Sequence, residues 1–270
     1  MNRKTTSMLL LAGTVLLGVA GMGCQKLKAR DELNKGVQAF KGGAYPTAVE
    51  HFQKAVSLDP TYPNSRAYLA TSYMMQYIPG AESEENLRMA QAAHTEFLKV
   101  LELDPQNSNA VSAIAQIYFN QKKFDEAWEW YKKLIASNPN DKTGYYMIGV
   151  IAWTRTFQPR MNARAELGMR PDDPGPIKDK KIREELKVKN MPVIEEGMQD
   201  LEKAIAIDKE YEDAMTYLNL LYRERADLQD TADGWKKDTA SADGWVEKTM
   251  ATKKMKAART PAAGGITTEK

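Results

Sequence analysis

Two histidines and one cysteine are the only imidazole and thiol groups in 270 residues. His51 and His94 stand beside Phe52 and near Phe97. Neither has a second ligand at metal-binding spacing, and a closed zinc site needs four converging donors. Both are expected to serve helix packing or the surface, and no metal is expected. The carboxylate pairs Glu84-Glu85 and Glu195-Glu196 fall where solvated helix faces are expected. Gly42-Gly43 is a turn between helices, not a glycine-rich phosphate cradle. The chain holds no G-x-S-x-G elbow and no H-E-x-x-H helix. These residues predict no enzyme, no cofactor and no small-molecule substrate.

The cysteine points to a different chemistry. Arg3 and Lys4 precede an apolar run from Met8 to Ala20, followed by Gly21-Met22-Gly23-Cys24. A short basic segment followed by about a dozen apolar residues has the build of an export signal. Its end resembles a bacterial lipobox, in which small residues precede a cysteine that is lipidated and becomes the mature amino terminus. Gly23 matches that pattern, while Gly21 stands where an aliphatic residue is usual. The resemblance implies a signal peptide over 1–23 and lipidation of Cys24. An uncleaved anchor and an ordinary cleaved signal are the other readings of the segment. Lys26, Lys28 and Arg30 follow at once, where each could add about 1 kcal/mol of attraction to anionic headgroups. Gln25 is not the Asp that enterobacterial lipoproteins use for inner-membrane retention, which favours the outer membrane. The expected location is the cell envelope, facing the periplasm.

Composition constrains the rest. Apolar residues make up 43% and charged residues 27%, an ordinary globular balance. Net charge is +2, and beyond residue 23 acids and bases cancel. Such a chain lacks the basic footprint of a nucleic-acid binder.

The elements that carry these residues repeat. Asp59-Pro60, Asp104-Pro105 and Asn138-Pro139 mark boundaries, the last two prolines 34 residues apart. Residues 29–62 carry Gly36, Tyr45, Ala48, Phe52, Ala55 and Pro60. Residues 108–141 carry Ala115, Tyr118, Phe124, Ala127, Tyr131, Leu134 and Pro139 in the same register. Small residues let two antiparallel helices approach closely, and aromatic or aliphatic residues fill the space between hairpins. Proline then stops the second helix. The pattern resembles the tetratricopeptide repeat (TPR). That resemblance implies an all-α fold, a right-handed TPR superhelix (α-solenoid) of about five helical hairpins over 24–258. Its repeats fall near 29–62, 63–107, 108–141, 142–211 and 212–258, with insertions in repeats 2 and 4.

Repeat 2 resumes at Ala93, Phe97 and Val100 after 11 extra residues around Tyr77-Ile78-Pro79-Gly80. Repeat 4 begins with Tyr145, Ile148 and Gly149 and resumes with Gly197, Leu201 and Ala204. The intervening 155–190 segment holds Pro171, Pro174 and Pro176 and ten Lys or Arg up to residue 189 against six acids. It is expected to be an exposed excursion with little to bury. Thr231-Ala-Asp-Gly-Trp235 recurs as Ser241-Ala-Asp-Gly-Trp245, and the second copy is expected to open a closing helix. Residues 259–270 are expected to form a frayed tail.

TPR proteins bind partners along a face lined by first helices. The corresponding residues are Val37, Phe40, Thr71, Met74, Met75, Gln116, Phe119, Asn120, Tyr146, Val150, Trp153 and Leu220. TPRs that clamp a terminal carboxylate place Lys and Asn where this chain has Leu33 and Val37. The expected partner is therefore a protein segment of apolar or amphipathic character, held by an envelope-anchored interaction scaffold. Two narrower forms stay open. One is an accessory subunit of an outer-membrane assembly, pilus or secretion machine. The other is an enzyme or regulator acting through the 155–190 insertion.

Overall fold

A computed structural model describes residues 24–259; the expected signal peptide, and the expected tail beyond Arg259, lie outside the described residues. Among the described residues the chain is all-helical. The elements are α1 (residues 24–41), α2 (Tyr45–Leu58), α3 (Pro63–Met74), α4 (Glu84–Leu103), α5 (Ser108–Asn120), α6 (Phe124–Ser137), α7 (Lys142–Glu166), α8 (Lys180–Ile207), α9 (Glu212–Ala226) and α10 (Ala232–Arg259). They fall into two compact units, one ending at Lys123 and the other beginning at Phe124.

The repeat boundaries have one physical form. Helices α2, α4, α6 and α8 each end where the N–H of Asp59, Asp104, Asn138 or Asp208 donates to the carbonyl four residues back, at 2.8–3.0 Å. The fourth case lacks the following proline, having Lys209, yet ends identically. Starts are capped locally. Ser83, Asn107, Asp141 and Asp179 side chains accept from backbone N–H groups of α4, α5, α7 and α8, satisfying donors that a helix leaves unpaired.

In the first unit, Leu33, Ala48, Phe52, Ala55 and Leu69 form one buried cluster of the core, flanked by Val37, Phe40 and Tyr73. Gly36 is required there because a Cβ on it would lie 2.5 Å from the Phe52 ring. The 11 extra residues of repeat 2 divide between a loop and the first turns of α4. Asn86, only 7% exposed, holds that loop by accepting from Ile78 N–H and donating to the Ile78 and Ala81 carbonyls.

In the second unit, α7 packs on α8 through Gly149 against Leu201 and Gly197 against Ala152. Helix α9 packs on both of them and on α10.

Two expectations need correction here. The 155–190 segment is not an exposed excursion. It lengthens α7 through Glu166, begins α8 at Lys180, and buries Met169 and Ile177 in the connection between them. Arg164 is 1% exposed: it pairs with Asp227 at 2.8 Å and donates to the carbonyls of Arg170 and Asp173. Arg183 donates to the Ile177 carbonyl at 2.6 Å, and Ile177 N–H donates to the Asp227 carbonyl at 3.0 Å. The segment is strapped to the end of α9. The second correction concerns the closing helix, which starts one motif earlier than expected. Thr231 Oγ1 accepts from Gly234 N–H at the head of α10, whereas Ser241 donates to the Lys237 carbonyl within the helix.

Candidate partner-binding faces

The first helices of each unit present the residues named from sequence. On α7, Tyr146, Val150, Trp153 and Phe157 follow the i, i+4, i+7, i+11 spacing of one helix face. On α9, Asp213, Tyr217 and Leu220 do the same. Tyr217 joins the two stripes, meeting Tyr146 nearly edge-on at 5.6 Å and Trp153 likewise at 5.7 Å. Trp153 leans on Phe157 at 4.9 Å and Tyr146 on Tyr211 at 5.2 Å. All five rings are half-buried. Burial raises the phenol pKa values of Tyr146, Tyr211 and Tyr217, and Asp213 adds to each rise; Tyr211 reaches about 12. Val150 is the exception on its stripe. At 6% exposed it packs inside the unit and cannot line a contact face. Leu220 is half-buried.

In the first unit the picture is more mixed. Val37 and Phe40 lean on the core, and Phe40 meets the rings of Tyr45 and Tyr68. Thr71 spends its hydroxyl on the Ala67 carbonyl. Gln116 donates to Asn120 at 2.8 Å. Met74 and Phe119 are half-buried, and Met75 is half exposed at 50%. Asn120 also lines a surface cleft of about 560 Å³ with Tyr77, Leu87, Arg88 and Lys122. The sequence reading missed this cleft because it is built by the repeat 2 loop and the turn after α5, outside the repeat pattern.

The histidines take up packing and pairing roles. His51 Nδ1 lies 2.7 Å from Glu32, linking α2 to α1, and Glu32 is held below the usual carboxylate range by that bond and by Lys35. His94 meets the Tyr118 ring edge-on at 5.1 Å. Burial, reinforced by Lys123, lowers its pKa. Cys24 is exposed at the head of α1, next to Lys26 and the 71%-exposed Leu27. No described helix is long and apolar enough to cross a membrane.

The family model for the tetratricopeptide repeat matches residues 87–148, from α4 through α5 and α6 into α7. Hsp70-Hsp90 organizing protein 2 of Arabidopsis thaliana is 31% identical over 112 residues, which are 42% of this chain and 18% of that protein. Sperm-associated antigen 1 of Rattus norvegicus is 32% identical over 113 residues, 42% of this chain and 11% of its own. The chain thus spans less than a fifth of the length of these relatives. Among solved structures, the MamA protein superposes with a TM-score of 0.59 at 15% identity, over 88% of this chain and 98% of that one, a likeness of fold. With the helical hairpins and their shared ends, these findings show a tetratricopeptide repeat within residues 87–148 and the fold of tetratricopeptide repeat proteins. Proteins of this class are protein-interaction scaffolds.

Proposed function

We propose that this chain is an exported lipoprotein, anchored through Cys24 in the cell envelope and facing the periplasm, that holds an apolar or amphipathic partner segment on its first-helix faces. The observation that carries the scaffold reading is the half-buried aromatic row of Tyr146, Trp153 and Tyr217 across two successive first helices. Large, partly exposed rings give contact area at low entropic cost, and such anchors tend to dominate binding. The anchoring reading rests on the lipobox-like residues before Cys24 and is supported by its exposure beside Lys26 and Leu27. A lipid there would lie at the first turn of α1, bringing the first hairpin against the headgroups.

Metabolic labelling with a palmitate analogue tests the anchor. The wild type should incorporate label and Cys24→Ser should not; an unlabelled wild type would refute lipidation. Trp153→Ala should weaken partner binding by at least about tenfold, the scale of an aromatic anchor. Trp153→Phe, which keeps the ring packing on Phe157 and Tyr217, should bind nearly normally. Unchanged binding in Trp153→Ala would place the partner elsewhere.

A further inference from the structure

Several partly exposed rings in this protein already carry a cation of their own. Lys133 lies 4.1 Å from the Trp130 ring centre, Lys248 4.0 Å from Trp245 and Lys203 5.2 Å from Tyr145. The aromatic row on α7 and α9 is likewise served at its two ends. Arg160 stands over Phe157 at 5.7 Å, and Lys142 over Tyr211 at 4.9 Å. Both cations are committed, Arg160 to Glu224 and Asp227, and Lys142 to Asp208. Between them, Tyr146, Trp153 and Tyr217 have no cation over their rings among the described residues. Tyr217 stands at 79° to Tyr146 and 78° to Trp153, so the three rings make two corners. One turn before Tyr217, on the same face of α9, Asp213 is exposed and makes no ion pair among the described residues.

We propose that this face takes a lysine or arginine side chain of the partner segment, seated against Tyr217, Trp153 and Tyr146 with its charge met by Asp213. A cation over a ring face is drawn to the ring's quadrupole, most strongly where the site is partly desolvated. The carboxylate adds direct attraction and steers approach. The raised phenol pKa values keep all three tyrosines of the row neutral, so Asp213 is the anion that a cation meets. The partner is then an amphipathic segment with a basic residue among its apolar ones. This rests on the reading of the first-helix faces as the partner site.

The test is selection of a displayed library of helical peptides, randomised on one face, against the full chain in detergent. Recovered binders should carry Arg or Lys flanked by apolar residues at helical spacing. Replacing that residue by citrulline, or the receptor's Asp213 by Asn, should weaken binding about three- to thirtyfold, the range of a partly desolvated cation–π contact. Asp213 is exposed, so Asp213→Asn leaves packing intact, and Tyr217→Leu with unchanged helicity serves as a second variant. Binders that are purely apolar and indifferent to Asp213→Asn would overturn the inference while leaving the scaffold reading in place. Acidic binders, or none at all, would overturn both.

Discussion

Arg164 carries its charge where water scarcely reaches, at 1% exposure. Such a group is tolerated only if its donors are answered, and here they are, by the Asp227 carboxylate and by the carbonyls of Arg170 and Asp173. Asp227 also takes Arg160 at 2.8 Å, while Glu224 faces Arg160 at 2.9 Å. Asp227→Ala would leave two buried guanidinium groups short of a counter-ion. It should cost about 3–5 kcal/mol, read as a lowered urea midpoint at constant m-value. Glu224 behaves differently. Burial pushes its carboxyl up to about 7 against the opposing pull of Arg160, with Asp227 adding to the rise. The folded chain therefore keeps a proton that the unfolded chain releases from near pH 4.5 upward, and stability falls as pH rises from there to about 7. Glu224→Gln cannot show that loss. Its stability relative to wild type should improve across this window by up to about 3 kcal/mol, measured by urea unfolding at each end. Parallel curves for the two proteins would contradict the assignment.

At the scale of elements, close approach between helices decides what the sequence tolerates. A Cβ on Gly197 would sit 2.5 Å from the Ala152 Cβ, which is fixed to the α7 backbone and cannot swing aside. Gly→Ala in a helix ordinarily gains about 1 kcal/mol of propensity, but forcing α7 from α8 costs about 1–3 kcal/mol, so Gly197→Ala should destabilise. A melting temperature above wild type would contradict that packing. The 167–179 connection is the second case. Replacing it with a Gly/Ser linker removes buried Met169 and Ile177 and frees the backbone whose carbonyls Arg164 and Arg183 use. Thermal unfolding of α7 to α10 should shift down and broaden; an unchanged transition would show that the strap is dispensable. The repeat residues were legible in the sequence. Ala48, Phe52, Ala115, Ala127, Tyr131, Leu134, Leu201 and Leu218 are all buried, because close-packing positions are set by local helical spacing. The strap was not legible. A count of charges over 155–189 sees ten bases and six acids, whereas the acids that neutralise Arg160 and Arg164 lie at 224 and 227 in another hairpin. Pairing across more than 60 residues leaves no periodic trace. The start of α10 was misplaced for a related reason: Ser241 and Thr231 head the same motif, and tertiary contact decides which one caps.

At the scale of the whole molecule, the account joins an anchor at Cys24 to a set of first-helix faces. The candidate faces were legible only in part. The resemblance to the repeat family named Tyr146, Trp153 and Leu220, which are half-buried, but it also named Val150, which is buried at 6% exposure. It passed over Tyr217 and Asp213, because a single-helix template does not show which residue of α9 meets which ring of α7. The most direct test of the central claim is photocrosslinking in cells that process lipoprotein precursors. Benzoylphenylalanine would be placed either at Tyr217 or at exposed Glu202 on α8. The account predicts a discrete adduct from position 217 that disappears in the Trp153→Ala background, with none from position 202. Equal adducts from both positions, or an adduct at 217 indifferent to Trp153, would contradict the claim that the first-helix face is where the partner sits.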